Sequence, residues 1–245
     1  MSDVSNRVDA LYRGFEDRFR GSIDEVRAKQ RVYLPVFAAA PSRGIVLDIG
    51  CGRGEFLALL REVNVVARGV DANRDMIAEA HARGLDAVQG DALEYLAALP
   101  DGSLGGAMAS QLVEHLEPSY VVRLLSAAFD KLRPGAPIVI ETINPACWLA
   151  FFSSYVRDFT HVWPVHPETL QYLVQATGFS RVEIKYTEQA PDAVRMRMVD
   201  PATLTGLESA TSRALKTLAD AYNANAFILN SLLFTYMDYS VIGYR

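Results

Sequence analysis

The sequence is poor in cysteine and histidine, and it lacks long apolar runs. Its two cysteines, Cys51 and Cys147, are too few for a disulfide framework, and no pair of cysteines or histidines has the spacing of a structural zinc site. Free thiols are typical of a reducing compartment, so we predict a cytoplasmic protein. No stretch approaches the ~18–20 apolar residues of a membrane-spanning helix, and the first residues lack the basic-then-apolar pattern of a signal peptide.

An excess of basic residues is also missing. The chain has 24 Lys and Arg residues against 29 Asp and Glu residues, which gives a net charge of -5, and its Lys and Arg residues do not cluster. This balance disfavours duplex nucleic acid as the main partner. A length of 245 residues with 50% hydrophobic and 22% charged residues is typical of one globular domain rather than of a disordered chain.

Short apolar runs alternate with helical patterns from Gly44 onward. The predicted strands are residues 45–49, 65–70, 87–89, 104–109, 137–141, 181–186 and 239–244, and the predicted helices are residues 55–62, 74–83, 93–98, 119–132 and 168–177. Repeated strand–helix units with compact connections indicate an α/β fold, a doubly wound parallel sheet with helices on both faces.

Two helical segments flank this pattern. Residues 5–33 predict a helix that Gly14 and Gly21 divide and Pro35 ends, so we divide the chain into an N-terminal helical cap (1–40) and a main domain (41–245). An aromatic-rich loop is expected over residues 144–167, and a helical insertion over about 203–233. We expect the apolar residues of the insertion to cover the domain's own core, with homodimer formation or attachment to glycan-assembly enzymes as the alternative. These residues are Leu204, Leu207, Leu215, Leu218, Tyr222, Phe227, Leu229 and Leu233.

The strongest motif is a glycine turn that follows the first strand. The run Asp48-Ile49-Gly50-Cys51-Gly52-Arg53-Gly54 places three alternate glycines between a buried strand and a helix. Glycine is required where a ligand approaches the backbone closely or where φ is positive. An acid at the strand end disfavours an anionic ligand and favours a cationic or zwitterionic one.

This run resembles motif I of the class I S-adenosylmethionine-dependent methyltransferases. Val70-Asp71 and Gly90-Asp91-Ala92 follow the next two strands, where that family places the acids that bind the ribose and the adenine. The resemblance implies a seven-stranded, mostly parallel Rossmann-like sheet with an antiparallel last strand, and S-adenosylmethionine as cofactor. Each acid alone is also a common helix cap.

The resemblance implies a set of cofactor-binding residues. Asp48, Gly50, Gly52 and Gly54 are expected at the methionyl part of the cofactor, with Cys51 inside the turn as a small packing residue. Asp71 with Ala72 is expected at the ribose, and Asp91 with Ala92 at the adenine; Gln111 completes the set from the end of strand four. Arg20 and Arg31 are candidates for the methionyl carboxylate, although we expect both to be exposed.

The acceptor site is predicted beyond strand four. Ligands of open α/β sheets bind at the carboxyl ends of strands, so Glu114 and His115 should face the cleft, together with the distant His161. These three residues are our catalytic candidates, with a histidine as general base. They also resemble the divalent-metal site (Mg²⁺ or Mn²⁺) of small-RNA terminal 2′-O-methyltransferases, except that Gln111 stands at an expected glutamate. Local structural roles for Glu114 and His115 remain the third alternative.

Motifs throughout the chain resemble the bacterial O-antigen chain-terminating methyltransferases of polysaccharide and lipopolysaccharide biosynthesis. They are Phe19-Arg20-Gly21-Ser22, Tyr33-Leu34-Pro35, Val113-Glu114-His115-Leu116, Glu141-Thr142-Ile143-Asn144-Pro145, Thr160-His161 and Asp238-Tyr239-Ser240-Val241-Ile242-Gly243. The resemblance implies O-methylation of a sugar hydroxyl or of a terminal phosphate. The alternatives are a small-molecule O- or N-methyltransferase of secondary metabolism, and a catalytically idle module that binds the cofactor or a glycan end.

Overall fold

The structure, a computed structural model, describes residues 11–16, 18–38, 44–204 and 209–245, without the side chains of Leu204 and Ser209. The strands are β1 (Ile45–Ile49), β2 (Ala67–Asp71), β3 (Ala87–Gln89), β4 (Leu104–Ser110), β5 (Pro137–Ile143), β6 (Ser180–Gln189) and β7 (Tyr236–Tyr244). The helices are α1 (Ile23–Gln30), α2 (Leu34–Ala38), α3 (Glu55–Glu62), α4 (Arg74–Ala82), α5 (Ala92–Ala97), α6 (Pro118–Lys131), α7 (Trp148–Ala150), α8 (Pro167–Ala176) and α9 (Ser209–Leu233). Within the described ranges, none of the helices combines the length and apolarity needed to cross a bilayer.

The seven strands form one sheet in the order β3-β2-β1-β4-β5-β7-β6. β1 pairs in parallel with β2 and β4, and the pairs β2–β3 and β4–β5 are also parallel. β7 is antiparallel to β5, because Asn144 N donates to Met237 O at one end of β5 and Arg245 N donates to Ala136 O at the other. The predicted mostly parallel sheet with an antiparallel last strand is confirmed.

The central strands are built from apolar and small residues because both of their faces are covered. Every residue of β4 and β5 is buried, as expected of a parallel sheet between two layers. The main core cluster joins these strands to α3 and to the segment before β1, through Tyr33, Phe37, Phe56, Leu59 and Met108.

The strand order reverses between β1 and β4, which makes their carboxyl ends the topological switch point of the sheet. The turns that follow these two strands lie side by side: a Cβ added to Gly50 would come within 2.8 Å of the Leu112 side chain. The glycine turn and the Glu114–His115 segment therefore meet at one edge of the sheet.

The N-terminal helix is divided at Gly21, as predicted, whereas the predicted division at Gly14 is wrong because the helix continues through that residue. Residues 11–16 and 18–19 are helical, Gly21 has φ +96°, and Ser22 then begins α1 with a capping box in which Glu25 takes part. The prediction that Pro35 ends the helix is wrong: a 3₁₀ turn over Arg31–Tyr33 leads into α2, and Pro35 lies in its first turn, where no intrahelical N–H is needed. Residues 1–10, 17, 39 and 40 of the predicted cap lie outside the described residues.

Two further boundaries differ from the predictions. The expected loop over residues 144–167 contains α7 and a π-helical turn over Phe151–Tyr155. The insertion is a single 25-residue helix, α9, which follows a 3₁₀ turn over Pro201–Leu204. Leu207 lies outside the described residues.

The chain divides into two compact units: residues 1–142, 160–185 and 240–245 form the first, and residues 143–159 and 186–239 the second. Within the second unit, α9 packs against the segment around residues 196–199. The side-chain amide of Asn223 accepts a hydrogen bond from Val199 N and donates one to Val199 O. The amide of Asn230 does the same with the N–H and the carbonyl oxygen of Met196, and all four bonds are 2.8 Å long. Two asparagines thus anchor the helix within its own unit.

The prediction that the apolar residues of the insertion cover the domain's core is wrong for four of them. Leu218, Tyr222, Phe227 and Leu229 are exposed. Small and amide side chains occupy the buried face instead, among them Ala219 and Ala226.

Candidate active site

The glycine turn has the backbone that its sequence predicts. Gly50, Gly52 and Gly54 have φ values of +69°, +51° and +81°, in the left-handed region that other residues rarely adopt. The N–H groups of Gly50 and Cys51 donate to Val70 O, which ties the turn to β2. Its shape therefore depends on glycine at each of the three positions.

Cys51 is a packing residue of this turn. Its thiol is buried against Gly69, where an added Cβ would overlap Sγ. Burial, followed by the nearby carboxylates of Asp48 and Asp71, raises the pKa of the Cys51 thiol far above its usual value. The thiolate is therefore scarce, which disfavours a nucleophilic role.

Carboxylates are concentrated beneath the turn. Asp48 is buried at the end of β1, and its burial, together with the charges of Glu55 and Asp71, raises its pKa well above the ordinary value. Glu55 is also buried and accepts a hydrogen bond from Arg53 Nε at 3.1 Å. A cationic ligand near Asp48 would relieve this repulsion.

Arg20 lies next to the glycine turn rather than in solvent, so the expectation of exposure is wrong for this residue. Its Nη1 donates to Glu16 Oε1 at 2.9 Å and would lie 3.3 Å from a Cβ added to Gly52. Its side chain is 20% exposed, whereas that of Arg31 is 56% exposed and pairs with Glu62, as expected for a surface residue. The N-terminal segment thus places a guanidinium beside Gly52.

Asp71 and Asp91 both bond to backbone N–H groups. Asp71 accepts from Gly52 N at 2.9 Å and from Asn73 N at 2.7 Å, which links β2 to the glycine turn. Asp91 caps α5 by accepting from Leu93 N and Glu94 N. Ala72 directly follows Asp71 after β2, and Ala92 directly follows Asp91 as the first residue of α5. Each carboxylate oxygen can accept two hydrogen bonds, so these contacts are compatible with hydroxyl or amino groups of a ligand.

Asp91 has a further partner in Tyr120, whose hydroxyl donates to it at 2.7 Å. Partial burial disfavours the Asp91 carboxylate, but this bond and the two capping bonds outweigh it and lower its pKa. Burial and the same hydrogen bond raise the pKa of Tyr120 to about 12. Tyr120 therefore stays protonated and holds the Asp91 carboxylate in place.

The structure brings the three predicted catalytic residues together. Glu114 and His115 lie on a 3₁₀ turn after β4, and His161 approaches from the segment before α8. One ligand atom from each lies within 4.8 Å of the others, and the two imidazole centroids are 4.5 Å apart. Glu114 is buried, and both histidines are partly exposed. A carboxylate and two imidazoles, side chains that are able to accept a proton, thus lie together in one cluster.

Sequence reasoning missed two contacts to this cluster. Thr160 Oγ1 lies at hydrogen-bond distance, 2.9 Å, from His115 Nδ1, and the ring of Tyr12 meets that of His115 edge-on at 5.9 Å. The Thr160-His161 motif was a signal for the first contact; no local pattern indicated the second. Val162 N and Trp163 N both donate to Glu114 O, which fixes the two segments together.

Gln111 directly follows β4, at the start of the segment that carries Glu114 and His115. It has φ +51°, an uncommon value for a residue with a side chain, and its N–H donates to Glu141 O. The buried carboxylate of Glu141 accepts from Ser110, and Gln30 of α1 donates to Ser110 Oγ at 3.2 Å. Such conformations are held by the surrounding structure and are concentrated at functional sites.

A profile of the methyltransferase-domain family matches residues 20–184, about two thirds of the chain, including the glycine turn and all three cluster residues. The chain belongs to this family. A crystal structure of an S-adenosylmethionine-dependent methyltransferase from Archaeoglobus fulgidus is 38% identical, with a TM-score of 0.85 over 96% of this chain and 99% of that one. The protein is therefore an S-adenosylmethionine-dependent methyltransferase with the class I Rossmann-like fold.

More distant relatives share the enzyme class. A ubiquinone biosynthesis O-methyltransferase of Burkholderia thailandensis is 23% identical over 181 residues, which cover 68% of this chain and 77% of the relative. A phosphoethanolamine N-methyltransferase of Haemonchus contortus in complex with S-adenosylmethionine has a TM-score of 0.60 at 16% identity, covering 96% of this chain and 60% of that one. At this low identity, the similarity to the Haemonchus contortus enzyme shows a shared fold and nothing further.

Proposed function

We propose that this methyltransferase acts on a hydroxyl oxygen, with the Glu114–His115–His161 cluster accepting the proton of the acceptor. One observation supports the proposal: a carboxylate oxygen and one nitrogen of each of two imidazoles lie within 4.8 Å of one another, beside the switch point of the sheet. A hydroxyl is a poor nucleophile until its proton is removed, whereas a neutral amine needs no base. The cluster therefore favours O-methylation.

The residues around the glycine turn fit the cofactor. S-adenosylmethionine supplies an electrophilic methyl group on a positively charged sulfur, next to a zwitterionic amino acid. The proposal assigns its cationic part to the carboxylate environment of Asp48, and its carboxylate to the Arg20 guanidinium beside Gly52. Asp71 and Asp91 are proposed at the ribose and the adenine. Gly50, Cys51, Gly52 and Gly54 with Ala72, Ala92 and Gln111 supply backbone and contact surface.

A saccharide is the proposed acceptor. Support comes from the motif resemblance to polysaccharide methyltransferases, which extends from Phe19 to Gly243. The O-methyltransferase named above carries ubiquinone biosynthesis in its name, so a small phenolic molecule is the competing acceptor class. Both a sugar and a phenol present a hydroxyl, so the proposed role of the cluster is the same for the two.

A divalent metal at the cluster is a second candidate. Two ligands of one ion at about 2.1 Å lie at most ~4.2 Å apart, so three ligand atoms within 4.8 Å need only small side-chain rotations to converge. Two imidazoles and one carboxylate form a donor set that divalent transition-metal ions accept with open positions.

One assay separates these possibilities. Release of S-adenosylhomocysteine is measured with sugar nucleotides, glycan termini, phenols and amines, with and without a chelator, after calorimetry has established cofactor binding by the folded protein. We expect turnover with a hydroxyl acceptor, and chelator-sensitive turnover only if a metal is required. Cofactor binding without release on any acceptor would favour an idle binding module, and turnover confined to amines would overturn the proposal.

The glycine turn offers a test of the cofactor site through two alanine substitutions. The Cβ of alanine at position 52 would lie 3.3 Å from Arg20 Nη1 and 3.9 Å from Glu55 Oε2, whereas that of alanine at position 54 would lie 2.5 Å from Leu85 Cδ1 in the core. We expect Gly52→Ala to cost about 1–2 kcal/mol of unfolding free energy for its positive φ and to weaken cofactor binding. Gly54→Ala should cost about 1–3 kcal/mol more through overpacking.

Urea unfolding and calorimetry with S-adenosylmethionine measure the two effects. A folded Gly52→Ala variant that binds the cofactor as tightly as the wild type would exclude this turn from the binding site.

A further inference from the structure

The second unit carries an apolar stripe that its own packing does not use. On α9, the residues Leu215, Leu218, Tyr222, Asn225, Leu229 and Leu232 follow one another at alternating spacings of three and four. This is the a/d pattern of a coiled coil over two and a half heptads, which we call the α9 seam. A spacing that repeats this regularly indicates that another helix packs against this face of α9.

Apart from Leu215, which is half-buried, the residues of the α9 seam are exposed, and the seam is distinct from the face that anchors the helix. Leu218 and Leu232 are 66% and 57% exposed, and Tyr222 and Leu229 are 37% and 38% exposed. Asn223 and Asn230, which bond the segment around residues 196–199, lie one position after the seam residues Tyr222 and Leu229, on the adjacent face. The helix thus presents one face to its own unit and a neighbouring face to solvent.

The seam is complementary to itself in the antiparallel direction. In antiparallel coiled coils an a residue of one helix packs against a d residue of the other. With the two-fold axis between positions 223 and 224, Leu215 meets Leu232 of the partner subunit, Leu218 meets the partner's Leu229, and Tyr222 meets the partner's Asn225. Each leucine then faces a leucine, and the two polar seam residues face each other.

Charge and area agree with this pairing. The charged residues of α9, Arg213, Lys216 and Asp220, lie outside the seam and outside the positions directly beside it, so like charges do not meet across the pair. The seam, which spans about 27 Å of helix, exposes apolar surface on the order of several hundred Å², the patch size that often marks an interaction site. This area is smaller than the roughly 800 Å² per partner that a stable interface buries. We therefore expect a dimer whose population depends on the protein concentration.

We propose that the protein forms a two-fold homodimer through antiparallel pairing of the α9 seams. The pairing joins the second units of two chains, whereas the proposed cofactor and acceptor residues belong to the first unit. It is independent of the proposed acceptor.

A charge swap tests both the surface and the direction of pairing. Leu218→Lys with Leu229→Lys places like charges in two layers, whereas Leu218→Lys with Leu229→Glu places opposite charges in the same layers of an antiparallel pair. The two positions are eleven residues apart and do not interact within one helix. Ala224→Lys, on an exposed position outside the seam, is the matched control.

Sedimentation of the full chain over a wide concentration range, with circular dichroism to verify folding, gives the readout. We expect a wild-type dimer, an unchanged Ala224→Lys dimer, a dissociation constant raised by roughly a hundredfold or more in the Lys/Lys variant, and recovery in the Lys/Glu variant. A wild-type monomer at all concentrations, or a dimer that survives Lys/Lys, would overturn the proposal. Loss of the dimer in both double variants would indicate parallel pairing and also contradict it.

Discussion

Replacement of His115 by alanine is expected to lower kcat by about 10²–10⁴-fold, the usual contribution of a general base, while cofactor affinity stays at the wild-type value. The proposed acceptor hydroxyl then loses the imidazole that Thr160 orients through Nδ1. His161→Ala and Glu114→Gln should lower kcat in the same direction, because all three groups lie within 4.8 Å of one another. The effects of substitutions at residues that act as one unit are not additive. The kcat of the His115→Ala/His161→Ala double variant should therefore be little lower than that of either single variant.

His166→Ala is the control for these substitutions. His166 caps α8 by accepting from Glu168 N, so its loss should reduce stability and leave kcat unchanged. Single-turnover rates and calorimetry with S-adenosylmethionine separate the chemical step from binding. Turnover at the wild-type rate in His161→Ala would remove that residue from the mechanism, and rates restored by added divalent ions in Glu114→Gln would favour the metal site.

The sheet and the glycine turn could be predicted because their signals are local. The runs 45–49 and 55–62 became β1 and α3 at the predicted bounds, and the three alternate glycines have the positive φ that their spacing implied. The start of β2 was predicted two residues early, because Val65 and Val66 continue the apolar run although they precede the paired residues. Apolar character alone therefore predicts a strand better than it predicts where the strand begins.

Contacts between distant segments account for most of what the sequence did not reveal. The burial of Arg20 depends on the N-terminal helix returning to the glycine turn, and the Thr160–His115 bond joins residues 45 positions apart. On α9 the apolar residues satisfied the helical period, but periodicity does not say which of two adjacent faces is buried. There the two asparagines decided the orientation, because their amides pair with backbone groups that would otherwise lose hydrogen bonds.

Replacement of Asp48 by asparagine should have opposite effects on the free protein and on cofactor binding. Burial and neighbouring carboxylates raise the pKa of Asp48 in the folded chain, so ionisation of Asp48 costs folding free energy, about 1.4 kcal/mol for each pKa unit. This cost is absent below the unfolded pKa of about 3.9, grows as the pH rises, and is constant above the folded pKa. Asp48→Asn avoids it, so the variant should gain stability over the wild type from acid towards neutral pH.

Cofactor binding should change in the other direction, because in the proposed site the ionised Asp48 carboxylate attracts the cationic part of S-adenosylmethionine. We expect the wild-type affinity to rise with pH as Asp48 ionises, and that of Asp48→Asn to be lower by about 10–100-fold near neutral pH and nearly independent of pH. Denaturant unfolding and calorimetry over the same pH series measure both effects. Asp86→Asn, the same change at an exposed acid, is the control. Equal pH dependence of cofactor affinity in Asp48→Asn and the wild type would show that the Asp48 charge takes no part in binding, and that the carboxylates beneath the turn serve the fold alone.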